Sequence, residues 1–197
     1  MGGSFEPADA GQNTSLKVYS SVMNLTGGWH WHWRAWRSQA HWASASAQIA
    51  DWLTAQTMPR QQLVLIGGSA GWMLPTAWLT QFKEVHAWDI DPLAAPLLRW
   101  RHGAGFKRAG TRLNLHTGDG LAPLNELIQT MPNAFFWFDN VLGQLRFTDP
   151  STDAVVQRLT NLQRQLKRVA WGSLHDRMSG PHTHGTHLPM AHHSGAG

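Results

Sequence analysis

The feature that most constrains this chain is a spacing. Three short apolar runs, Leu63 to Ile66, Val85 to Trp88 and Leu113 to Leu115, each lead into a glycine turn or an acid. Each run has the length and composition of a buried strand. The stretches between them read as helices, so consecutive strands must be joined by right-handed crossovers in a parallel sheet with helices on both faces. Such sheets bind ligands at the carboxyl ends of their strands. The glycine turn Gly67-Gly68-Ser69-Ala70-Gly71, the acid Asp89 and the Gly118-Asp119-Gly120 run all fall at that end. Together they predict an α/β domain that binds a nucleoside. The 197 residues, 42% hydrophobic and 14% charged, suffice for one such domain with a sizeable core.

The remaining elements follow from the same pattern. Residues 1–15 are small and polar, and Leu16 to Met23 partly alternates as a short strand would. Gly27-Gly28 breaks the chain, and residues 30–57 predict one long or two shorter helices. Beyond Pro59 the spacing predicts a helix over 72–82, and another over 92–102 capped by Asp91-Pro92 and strained by Pro96. A strand over 111–116, a short helix near 121–130 and a strong strand over 134–138 come next. A helix over 152–167 with Val155, Leu159, Leu162 and Leu166 on one stripe precedes a fifth strand at 169–174. The chain therefore divides into an N-terminal segment, 1–58, with a Trp-rich helical cover, a binding domain, 59–175, and a flexible tail, 176–197.

Each candidate residue has a structural reading beside the chemical one. The glycine turn can approach a ligand closely and aim N–H groups at it, or simply reverse the chain. The dinucleotide pattern G-x-G-x-x-G fails at Ser69 and Trp72. Asp89, about twenty residues beyond the turn, suits the two hydroxyls of a ribose, whereas Asp91 before Pro92 suits a helix cap. Asp119 can accept from an adenine amino group or cap the next helix. Asp139 and Asn140 end the most apolar strand, as a base and an orienting amide, the latter with Gln144, or as caps of the following loop. His175-Asp176 is a further candidate pair.

Taken jointly, these elements resemble the class I S-adenosylmethionine-dependent methyltransferases from about Gln62 to Leu174. The matching pieces are Leu63 to Gly71, Ala87 to Pro92 and Gly118-Asp119-Gly120. The resemblance implies a Rossmann-like sheet and S-adenosylmethionine as cofactor. It implies that Gly67, Gly68, Ser69 and Gly71 wrap the methionine part, Asp89 holds the ribose, and Asp119 with Gly120 lies near the adenine. The Ile66-Gly67-Gly68 and Gly118-Asp119-Gly120 pieces also look like the polyamine synthase branch, which transfers an aminopropyl group. Departures are Leu65 where many methyltransferases have an acid, Ser69 for the middle glycine, and Asp139-Asn140-Val141-Leu142, which matches neither branch's catalytic segment. The methyl acceptor is therefore unidentified. A remnant that keeps the fold without catalysis is the rival from another class, and a nicotinamide-dependent oxidoreductase fits the broken glycine pattern less well.

The family's last two strands have no counterpart, so the strand at 169–174 should be an edge that is covered by Leu16 to Met23 or paired in a homodimer. A first tryptophan stripe, Trp31, Trp42 and Trp52, should pack on the sheet. A second, Trp29, Trp33 and Trp36, should face the pocket as a lid. The net charge is +4, but the sixteen Lys and Arg are scattered, which gives no specific nucleic-acid signal. Cysteine is absent, so thiol chemistry and disulfides are excluded. The six histidines from His175 to His193 have irregular spacing and read as tail rather than as a metal site. No leader and no stretch of eighteen apolar residues is visible, which predicts a soluble, cytoplasmic protein without membrane contact.

Overall fold

A computed structural model describes residues 28–148 and 151–175. Leu16 to Met23, Asp176 and the tail 176–197 lie outside the described residues. Five strands form one parallel sheet: β1 (Gln62–Ile66), β2 (Glu84–Asp89), β3 (Arg112–Thr117), β4 (Phe135–Asp139) and β5 (Ala170–Leu174), in the order β3-β2-β1-β4-β5. Leu65 stands in register between Ala87 and Trp137, so β1 is central. The direction of winding reverses between β1 and β4, and there the loops beyond the strands diverge into a crevice in folds of this type. This is a Rossmann-like α/β fold with a five-stranded parallel sheet.

β1 and β4 are buried on both faces because both faces of the sheet carry helices. Leu63, Leu65, Val85 and Trp137 pack with α2 (Gln39–Ala55), α3 (Thr76–Leu79) and α4 (Ala94–Ala109) through Leu53, Trp78, Leu98 and Phe106. Val64, Ile66, Phe136 and Phe138 pack with α5 (Leu124–Thr130), α6 (Val141–Thr148) and α7 (Thr152–Leu166) through Leu124, Leu145, Leu162 and Leu166. Each fully buried Leu or Phe contributes about 1.5–3 kcal/mol. Before β1 the chain forms two helices, α1 (Trp29–Arg37) and α2, rather than one long one.

Several expectations are corrected. The helix expected over 72–82 shrinks to α3, because the Gly67–Gly71 turn continues through Leu74 and Pro75 holds an extended ψ of 134° at the N-cap. The helix expected over 92–102 runs instead from Ala94 to Ala109. Pro96 does not strain it, since its missing N–H lies in the first turn, where no intrahelical partner exists. The short helix near 121–130 begins only at Leu124, after Pro123. The loop expected after Asp139 is the helix α6. On α7, Leu162 and Leu166 are buried but Leu159 is exposed.

The tryptophan stripes are also corrected. α1 buries His32 and Ala35, and α2 buries Leu53, whereas Trp31 is exposed and Trp42 half-buried; Trp52 is exposed too but keeps the expected sheet contact, its ring 6.2 Å from that of Trp137 on β4. Trp29, Trp33 and Trp36 are 64%, 46% and 50% exposed, so they face solvent rather than a pocket. Among the described residues β5 pairs with β4 alone, and nothing there supplies the expected cover of its outer edge. Among them, too, no helix is long and apolar enough to cross a membrane.

Candidate functional site

The loops after β1, β2, β3 and β4 meet at one end of the sheet. Gly67, Ser69 and Gly71 all have positive φ, 75°, 48° and 64°. Such angles favour glycine, and Ser69 holds one against the clash of its own Cβ. Asn140, with φ 59°, is the other non-glycine residue of this kind among the described residues. Strained residues of this sort persist where the surrounding structure over-determines them, and they cluster at functional sites. Here both lie on the switch point, one after β1 and one after β4.

Asp89 joins two of these loops. Its Oδ2 accepts from the Ser69 N–H at 2.8 Å and its Oδ1 from the Asp91 N–H at 2.8 Å. Burial raises its pKa above the ordinary carboxylate value, and those two N–H groups oppose the rise. Each oxygen retains a further lone pair. Asp119 closes a tight turn by accepting from the Leu121 N–H at 2.9 Å through Oδ1, while its Oδ2 has no partner among the described residues. The expected helix cap is corrected: α5 starts at Leu124 with Pro123 at its N-cap, so Oδ1 closes a local turn instead, and Oδ2 remains as an acceptor. Asp139 ends β4 half-buried, and the Asn140 N–H donates to the Leu174 carbonyl at 2.6 Å.

Asp91 is buried and makes the Asx turn expected of a cap, accepting from the Leu93 N–H at 2.9 Å. The helix itself starts later, with Leu93 at the N-cap. Asp91 has a second role that no sequence signal announces. Its Oδ2 receives the Gly28 N–H at 2.9 Å and His32 Nε2 at 3.1 Å, across 63 and 59 residues of chain. The Trp72 indole, which can only donate, gives its N–H to His32 Nδ1 at 3.1 Å. His32 therefore carries its proton on Nε2, and the chain Trp72 to His32 to Asp91 latches α1 onto the glycine turn. His102 is a second unforeseen residue: Nε2 donates to the Gly71 carbonyl at 3.3 Å and Nδ1 accepts from Thr76 Oγ1 at 2.7 Å.

The strand ends present carboxylate acceptors, but the space between the loops is closed. A Cβ on Gly67 would lie 2.8 Å from the Asp139 carbonyl and closer still to Val141, so the loops after β1 and β4 touch. Gly120 is explained by packing, since a Cβ there would meet Trp88 and Ile66 at 2.8 and 2.9 Å. His116 stacks on Trp88 at 4.2 Å, and the cavity bounded by Gly68, Ser69, Asp89, Leu98 and His116 holds only about 10 Å³. That is at most one water. His175 is exposed beside Ser173, and its Cβ and the Asn140 side chain both border Gly143.

Comparison with models of known protein families finds none that matches this chain, and comparison with curated proteins finds no match either.

Proposed function

We propose that the protein binds S-adenosylmethionine at the carboxyl ends of β1, β2 and β3 and transfers its methyl group to an acceptor. The observation that carries this reading is the pairing of strained Ser69 and Asn140 across the switch point, with Asp89 and Asp119 at the adjacent strand ends. Asp89 retains lone pairs for ribose hydroxyls, and the Oδ2 of Asp119 suits an adenine amino group. The bound sulfonium supplies an electrophilic methyl carbon. Asp139 accepts the proton that the acceptor's nucleophile loses, and Asn140 orients that nucleophile. Val141 must draw away from Gly67 to admit the ligand.

The second reading is a nucleoside-binding scaffold without catalysis, favoured by the segment Asp139-Asn140-Val141-Leu142, which matches neither branch's catalytic segment. Calorimetric titration with S-adenosylhomocysteine, followed by assay of methyl transfer, separates the two. The proposal expects saturable heat that weakens by about 1–2 kcal/mol in Asp119→Asn, a variant whose Oδ1 still closes the turn. Asp89→Ala should weaken binding by about 1–3 kcal/mol and also loosen the two loops. Binding without methyl transfer to any acceptor class selects the scaffold. No heat at millimolar ligand overturns both.

A further inference from the structure

A cavity lies away from the strand ends, in the groove between α2 and residues 72–75. It measures about 190 Å³, below the roughly 300–1,000 Å³ that drug-sized ligands occupy, so it suits a molecule of one or two fused rings. Trp42 and Trp72 line it with indole rings, and the buried Leu74 adds an apolar surface. Arg101, from α4, lines it with the one charge in its wall.

Arg101 lacks a counter-charge. Its Nη1 donates to Gln39 Oε1 at 3.1 Å and its Nη2 to the Trp72 carbonyl at 3.3 Å, both neutral acceptors. Its Nε is shielded from solvent with no partner, and among the described residues no carboxylate forms an ion pair with it. The guanidinium lies 5.0 Å over the Trp72 ring, which fixes its plane against an aromatic wall. Burial pulls its pKa below the ordinary value, as expected of a desolvated cation that nothing neutralises. A planar anion would supply the missing charge, and a flat apolar body would fill the space between the two indoles.

We infer that this groove is a binding site for a small aromatic carboxylate, whose ring lies between Trp42 and Trp72 and whose carboxylate pairs with Arg101. The amide of Gln39 and the hydroxyl of Ser46 lie within the same wall. Among the described residues Ser46 Oγ donates to the Met73 sulfur, at 3.6 Å, a weak acceptor that a ligand oxygen would replace. The site requires no cofactor and stands apart from the methyl-transfer reading.

The test is calorimetric titration of the full chain with indole-3-carboxylate, its neutral carboxamide and inorganic phosphate. The carboxylate should bind saturably, about 10- to 100-fold tighter than the carboxamide, the range for a charged partner of a half-buried cation. Arg101→Met should remove that preference, and Arg101→Lys should keep part of it. Because Arg101 also braces Gln39 and Trp72, Ala43→Trp provides a second variant: it fills the exposed rim of the groove, leaves the guanidinium untouched, and should abolish binding while circular dichroism is unchanged. Equal affinity for acid and amide, phosphate competing as well as the aromatic acid, unaltered binding in Ala43→Trp, or no binding at millimolar probe would each overturn the inference.

Discussion

Gly67 and Gly110 have nearly the same backbone angle, φ 75° and 71°, in different surroundings. A Cβ at Gly110 meets nothing within 4 Å, while one at Gly67 meets the Asp139 carbonyl and Val141. Gly110→Ala should therefore cost about 1 kcal/mol, for the left-handed conformation alone, and Gly67→Ala about 3 kcal/mol or more, because packing strain is added. Urea unfolding of the two variants reads the difference directly. His102 gives the second prediction at this scale. Burial first, and then the neighbouring Arg101 charge, lower its pKa from 6.5 to about 4. The unfolded chain then takes up the proton before the folded one does. Stability should be complete above about pH 6.5 and lost as the pH falls toward 4, by about 2 kcal/mol at pH 5. Unfolding at pH 7.5 and pH 5 checks this, and His102→Gln should lack that increment. At this scale the sequence reveals what is local. Asp119 closes its own turn within two residues, so a Gly-Asp-Gly run announces it. The partners of Asp91 lie 59 and 63 residues away, and no spacing rule reaches them.

Strands and helices were legible where their burial is uniform. β1 and β4 are buried over nearly their whole length, so unbroken apolar runs mark them. α3 was overestimated because a glycine turn and Pro75 consume the residues that the periodicity assigns to a helix. α6 was missed because Asn140 looks like the start of a loop, yet its positive φ turns the chain straight into the next helix. The tryptophans misled for another reason: α1 docks through a polar latch and Ala35, so its large apolar rings are left outside. Trp33 and Trp36 instead contact each other at 5.4 Å, with Arg37 over Trp33. His32→Ala tests the latch. It strands the Trp72 indole N–H and one hydrogen bond of Asp91, at a cost of about 2–4 kcal/mol. Hydrogen exchange should then rise across residues 29–37 while β1 and β4 stay protected. Equal opening of β1 and β4 would show that α1 belongs to the core unit.

At the scale of the molecule, a parallel sheet in the order β3-β2-β1-β4-β5 places the carboxyl ends of its three central strands side by side and reverses its winding between β1 and β4. That topology was legible, because alternating elements permit few other connections. The shut crevice was not, since it depends on how Val141 and the Asp139 carbonyl meet Gly67 across 72 to 74 residues of chain. A nucleoside ligand must open this contact, and opening a packed contact on one side while forming hydrogen bonds on the other changes amide protection at both. Hydrogen–deuterium exchange of the full chain with and without S-adenosylhomocysteine therefore tests the central claim most directly. The account predicts slower exchange at residues 67–71, 89–91 and 118–120, with altered exchange at 139–143. Unchanged exchange in all four segments at millimolar ligand would contradict it.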